Sequence, residues 1–155
     1  MNTRDNKITV AGALGEKILF EYLEETGSYE KLEYSDNKYD MHKDIVGHNG
    51  ESSDLIEQKL RTVIRKYHAF PLERSQWYKA DNADRLFFIS NPTAVTESIK
   101  IYEATKDSFF VVEKFGPRKA ETRMYDLNKM KLCKVIKDKQ MIEKLYNLSV
   151  STYKQ

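Results

Sequence analysis

One cysteine, three prolines and six glycines in 155 residues leave this chain few covalent or conformational fixtures, and each shortage excludes something. A lone Cys133 can close no internal disulfide, which points to a reducing interior and a cytoplasmic location. Its setting, after Leu132 and before Val135 and Ile136, suits a small core residue better than a reactive thiol. No apolar run approaches the roughly 18 residues of a membrane span. The stretch Met1–Lys7 lacks the apolar centre of a signal peptide, so neither a membrane partner nor export is expected. Also missing are a Cys/His zinc pattern, a P-loop, a GxGxxG turn and a serine elbow.

What is present is charge, unevenly spread. Charged residues make up 32% of the chain and apolar residues 40%, a balance that fits one mixed α/β domain over residues 1–155. Residues 1–60 carry 7 basic and 13 acidic side chains, while residues 61–155 carry 19 and 11. A protein that cuts phosphodiesters needs acids gathered around a metal and bases elsewhere to hold the polyanion. Surface charge drifting along a chain would look the same, because the bases here are scattered rather than in blocks.

Periodicity sets out the elements. Leu14, Ile18, Leu19, Tyr22 and Leu23 form one apolar stripe and predict a helix over 11–25, ended at Gly27. A short strand over 29–35 and a weaker one over 39–46 follow, then a loop over 47–53 in which Asn49-Gly50 signals a hairpin. A strand over 54–60 places Leu55, Glu57 and Lys59 on one face and Ile56, Gln58 and Leu60 on the other. A short helix is expected over 72–79 and a buried strand at Arg85–Ser90. Beyond it come strands over 97–103 (with a helix as the alternative), 109–115, 121–127 and 131–136. A final helix capped by Asp138 carries Met141, Ile142, Leu145 and Leu148.

One tripeptide in this series carries chemistry. Glu57-Gln58-Lys59 lies thirteen residues after Asp44, across the predicted hairpin. Acid-x-Lys is expected roughly three times by chance at this composition, and it occurs three times, the others being Asp5-Asn6-Lys7 and Asp36-Asn37-Lys38 in turn-like sequence. Only the third sits at the end of an apolar strand. A hard cation such as Mg²⁺ takes oxygen ligands and keeps several waters. Asp44 and Glu57 would supply carboxylate oxygens from neighbouring strands, and the Gln58 carbonyl a third. Lys59, on the face of Glu57, would orient a water or meet charge developing on phosphorus. The plainer reading is a cross-strand or surface pair of Glu57 and Lys59. Asp40, four residues before Asp44, competes for its role. His42 and His48 flank Asp44, but His48 falls in a turn and no second ligand pair follows, which disfavours a histidine-metal nuclease.

The order of helix with an internal Gly15-Glu16, strand, hairpin bearing Asp44 before Ile45-Val46 and then Glu57-Gln58-Lys59, short helix and buried strand resembles the PD-(D/E)XK nuclease superfamily. The likeness covers about residues 10–90 and leaves a strand-rich extension over about 95–155 unmatched. No proline precedes Asp44, and Gln58 is polar where an apolar residue is common. The resemblance implies a restriction-endonuclease-like core, a central mixed β-sheet flanked by helices. It implies a metal-dependent DNA endonuclease using Mg²⁺ (Mn²⁺ substituting), with Asp44, Glu57 and the Gln58 carbonyl on the metal, Lys59 assisting and Glu16 supporting. It makes Gln76 an auxiliary and allows a homodimer. Arg61, Arg65, Lys66 and Arg74, interleaved with Tyr67 and Phe70, suit backbone contact and base stacking on DNA, and a solvated loop would look similar. A non-catalytic nucleic-acid-binding or protein-interaction module with the same fold is the alternative, and RNA stays open as a substrate.

Overall fold

The computed structural model of the chain describes residues 3–35 and 45–153. Helix α1 (Thr3–Thr26) buries Leu14, Ile18, Leu19 and Leu23, the stripe expected from a 3.6-residue period. Gly27 ends it at φ 63°, a left-handed conformation that costs glycine little.

Strands β1 (Lys31–Tyr34), β2 (Ile45–Asn49) and β3 (Ser52–Arg61) form an antiparallel meander. The β2–β3 turn is tighter than a loop over 47–53. Asn49 pairs with Ser52, leaving Gly50 at φ 61° and Glu51 between them. Gly47 is no turn residue. It is buried within β2, where any Cβ would strike the ring of Tyr29, so its missing side chain makes room for an aromatic.

The sequence reading missed strand β4 (Ala69–Glu73), which contains Pro71. Proline lacks a ladder donor and is tolerated at a sheet edge, and β4 is an edge strand of a three-stranded sheet. Leu72 and Glu73 belong to it, so the expected helix starts late: a 3-10 turn Arg74–Gln76 runs into α2 (Trp77–Asn82). Strands β5 (Arg85–Ser90), β6 (Ile99–Ala104), β7 (Phe109–Phe115), β8 (Ala120–Asp126) and β9 (Lys131–Ile136) follow close to expectation, and β6 is a strand rather than a helix. Helix α3 (Lys139–Tyr153) begins where Asp138 Oδ1 accepts the backbone N–H groups of Gln140 and Met141 at 3.0 and 3.3 Å.

The larger sheet has the order β1-β2-β3-β5-β6-β9 and is mixed, because β5 runs parallel to β3 while its other pairs are antiparallel. The smaller sheet has the order β4-β8-β7. Alternation along β5 divides the interior in two. Phe87 and Ile89 join Leu19, Leu23, Ile56, Ile142 and Leu145 under α1 and α3. Leu86 and Phe88 join Phe70, Leu72, Ala80 and Tyr125 under the smaller sheet and α2. The Phe70 and Phe88 rings stack at 5.2 Å across this second core. Among the described residues no helix is long and apolar enough to cross a membrane.

Gln58 is the polar intruder beneath α1. Its Oε1 is buried with no described hydrogen-bond partner and lies against Gly15, at a spot a Cβ there would occupy. A buried, unmatched amide oxygen costs about 1–3 kcal/mol. Gln58→Met, close in volume, is therefore expected to raise unfolding free energy in urea by about 1 kcal/mol. Equal or lower stability would show that the oxygen is satisfied in solution.

Candidate functional site

The site is built on the middle of β3. Pairing of β3 with β5 sets Glu57 beside Leu86 and Lys59 beside Phe88, so both charged side chains enter the face covered by α2 and the smaller sheet. Both are buried, Glu57 at 6% and Lys59 at 8% exposure. Lys59 Nζ sits 3.2 Å from Glu57 Oε1 and donates to Gln76 Oε1 at 2.6 Å. The structure thus brings together three of the residues singled out in the sequence. A lysine two residues from a glutamate on a strand cannot avoid its face; the convergence of Gln76 is tertiary.

Burial pushes the Lys59 ammonium below the ordinary lysine range. Glu57 opposes this by favouring the charged form, while Arg61 and Lys79 add to the depression. The amine is accordingly a desolvated cation held between an anion and an amide oxygen. Such a group can donate to, and orient, a water or a phosphate oxygen in a setting where each hydrogen bond is strengthened by low dielectric.

Gln76 owes its place to its neighbour Trp77 and to a distant pair, Asp81 and Arg123, that the sequence does not single out. Trp77, next in the chain, donates its indole N–H to the Leu72 carbonyl at 2.8 Å. The Arg123 guanidinium lies 4.6 Å from the Trp77 ring and 4.3 Å from that of Phe109. It donates two hydrogen bonds to the Asp81 carboxylate of α2, at 2.7 and 2.9 Å. This clamp fixes α2, and with it Gln76, against β8. Asp81 and Arg123 are 42 residues apart, and the only local signal was a tryptophan beside a polar residue.

The other expected site residues fare differently. Asp44 and Asp40 lie outside the described residues; the described β2–β3 pairing ends at Ile45 opposite Ile56, one residue before Glu57. Glu16 is half-buried on α1, near enough to Tyr34 of β1 to raise its hydroxyl pKa, behind burial, the main cause. Gln58 sends its side chain to α1, on the opposite face of β3 from Glu57, so its carbonyl alone stays available for the metal role. Arg61 donates to Glu73 at 3.0 Å, and Arg74 pairs with Glu121 at 3.4 Å while its guanidinium lies 5.8 Å from Trp77. Arg65 and Lys66 are exposed, with the Lys66 ammonium 5.3 Å from the Tyr67 ring. Phe70 is fully buried and cannot stack on a base. Cys133 is half-buried, and burial raises its thiol pKa, in keeping with an inert packing role.

For a hard cation, the described donors are the right chemical type: the Glu57 carboxylate and a backbone carbonyl next to it. Among the described residues no three His, Cys, Asp or Glu side chains gather closely enough to hold a metal ion. A complete ligand set would thus draw on the segment before Ile45, where Asp44 and Asp40 lie. Comparison of the chain with family models, curated proteins and solved structures gives no match.

Removing the Glu57 charge leaves Lys59 buried without its described counter-ion. Glu57→Gln is expected to destabilise the fold by about 3 kcal/mol at neutral pH. Because the folded amine loses its proton at a lower pH than the unfolded amine, the unfolded chain binds more protons in between, and stability rises with pH there. The deficit should therefore shrink as pH climbs toward the unfolded lysine value of about 10.4. Urea unfolding of both proteins across that range checks this, and a pH-independent deficit would mean that Lys59 is not the strained charge.

Proposed function

We propose that the chain is a metal-dependent DNA endonuclease of the PD-(D/E)XK type with a restriction-endonuclease-like core. The observation that carries this reading is Lys59, desolvated in mid-strand and held between the Glu57 carboxylate and the Gln76 amide oxygen. A lysine kept out of water solely for stability would be an unfavourable choice, since apolar residues of similar volume fill such positions as well or better. The order on which the resemblance rests is supported by α1, the β1–β2–β3 meander, the short helix α2 and the buried strand β5, which follow one another in that sequence within an α/β fold with a mixed central sheet.

In this reading Glu57, Asp44 and the Gln58 carbonyl would hold Mg²⁺ or Mn²⁺. The ion would supply an activated water and Lewis-acid stabilisation of the phosphorane. Lys59 orients the attacking water and meets negative charge on the phosphate oxygens. Gln76 accepts from the Lys59 ammonium and, with Glu57, fixes where it sits. Glu16, which the resemblance would make a supporting residue, lies on α1, the helix that covers the opposite face of β3.

Plasmid DNA with Mg²⁺ or Mn²⁺ is expected to be nicked or linearised, and EDTA to stop it. Lys59→Ala and Glu57→Ala should each lower the rate by about a hundredfold or more, and Gln76→Ala by about tenfold, because it repositions rather than removes the cation. Calorimetric titration with Mn²⁺ should show binding that Glu57→Ala weakens. Absence of both cleavage and metal binding would overturn the enzyme reading.

A further inference from the structure

The cations nearest the site are mostly neutralised: Arg61 by Glu73 and Arg123 by Asp81. A different set is not. Arg65 and Lys66 lie in the turn between β3 and β4, and Lys114, Arg118 and Lys119 lie at the hairpin joining β7 to β8. All five are exposed, and none forms an ion pair with a described residue.

Two segments far apart in sequence are brought together here by aromatic packing. The Tyr67 ring meets Phe110 edge-on at 5.8 Å and Phe115 at 6.3 Å, tying the turn to β7 just before the hairpin tip. Strand pairing puts Phe110, Met124 and Pro71 on one face of the smaller sheet, the face turned away from the second core, where Phe109, Tyr125 and Phe70 point. Met124 is fully buried on that outer face, while Phe110 keeps 38% exposure. The outer face thus presents a small aromatic ridge flanked by cations. Within residues 64–68 and 113–119 the only acid is Glu113, so five positive charges less one negative leave a local balance of +4.

We infer that this ridge, formed by the 65–68 turn and the β7–β8 hairpin, is a docking surface for the phosphate backbone of DNA flanking the cut. Charge complementarity selects the occupant. Exposed, unpaired lysines and arginines on two adjoining loops match a regularly spaced polyanion, and they give affinity without base reading. The packed tyrosine and phenylalanines fix the spacing of the two loops, so less conformational freedom is lost on binding. Ile64 lies five residues beyond Lys59, so the chain between them spans at most roughly 18 Å. That is about five base-pair steps of duplex. The inference deepens the nuclease reading and rests on it for the identity of the polyanion. It also reassigns the binding role from Arg61 and Arg74, which have carboxylate partners, to Lys114, Arg118 and Lys119.

Fluorescence anisotropy with a labelled duplex of about 30 base pairs in EDTA measures binding with cleavage switched off. Arg118→Glu/Lys119→Glu and, separately, Arg65→Glu/Lys66→Glu should each raise Kd about tenfold or more and lower the salt slope by about two. Lys137→Glu/Lys139→Glu, changed at the start of α3, should stay within about twofold of the parent. All six basic positions changed to Glu are exposed, and unchanged melting curves would confirm intact folds. Parent-like binding by both turn and hairpin variants, or a parent that binds no duplex, overturns the inference. Cleavage by a parent whose binding ignores these charges would retain the nuclease and sink the surface. Charge-dependent binding without metal-dependent cleavage would do the reverse.

Discussion

Strand β5 is buried on both sides, and most of the molecule is arranged around that fact. Residues Leu86 to Ile89 are apolar without interruption, so each face of the strand must be covered. The α1–α3 pair covers one face and the smaller sheet with α2 covers the other. Strand β3, its parallel neighbour, inherits both covers. Its alternation places Ile56, Gln58 and Leu60 under α1, and Glu57 and Lys59 under α2. The desolvation of Lys59 follows from the company of Phe88, not from anything local to the tripeptide.

Buried charge in this protein is consistently clamped. Arg123 lies between the Trp77 and Phe109 rings and is anchored on Asp81. Arg85 donates two hydrogen bonds to Glu103, at 2.7 and 2.8 Å, and a third to the Tyr29 hydroxyl, which itself donates to Asp54 at 2.7 Å. The Arg85 cluster pairs polar groups that burial would otherwise penalise and ties β3, β5 and β6 at the end of the larger sheet away from Arg61, whereas Arg123 Nε is buried with no described hydrogen-bond partner. Lys59 differs in kind. Its described partners are one carboxylate and one amide oxygen, for an ammonium that can donate three hydrogen bonds.

The elements of this fold were largely legible because their periods are clean. The stripe of α1, the run RLFFIS and the Asp138 cap each follow from a local rule. Local rules failed where a residue had a tertiary purpose: Gly47 admits the Tyr29 ring rather than turning the chain, and Pro71 sits in a strand because that strand is an edge. Of the site, Glu57 and Lys59 were readable because a two-residue step on a strand restores direction. The preference for Gln76 came from resemblance rather than from any spacing rule, since no sequence pattern joins it to Lys59 across 17 residues.

The sequence alone thus determined the succession of helices and strands apart from β4, the shared face of Glu57 and Lys59 and the surplus of cations after residue 60. These are consequences of neighbouring residues and of backbone geometry. Only the tertiary structure decided which cations are cancelled by carboxylates, which face of β3 loses its water, and that the 65–68 turn and the β7–β8 hairpin meet. Each of those depends on segments dozens of residues apart being packed together, and burial and Coulomb interaction act through space rather than along the chain.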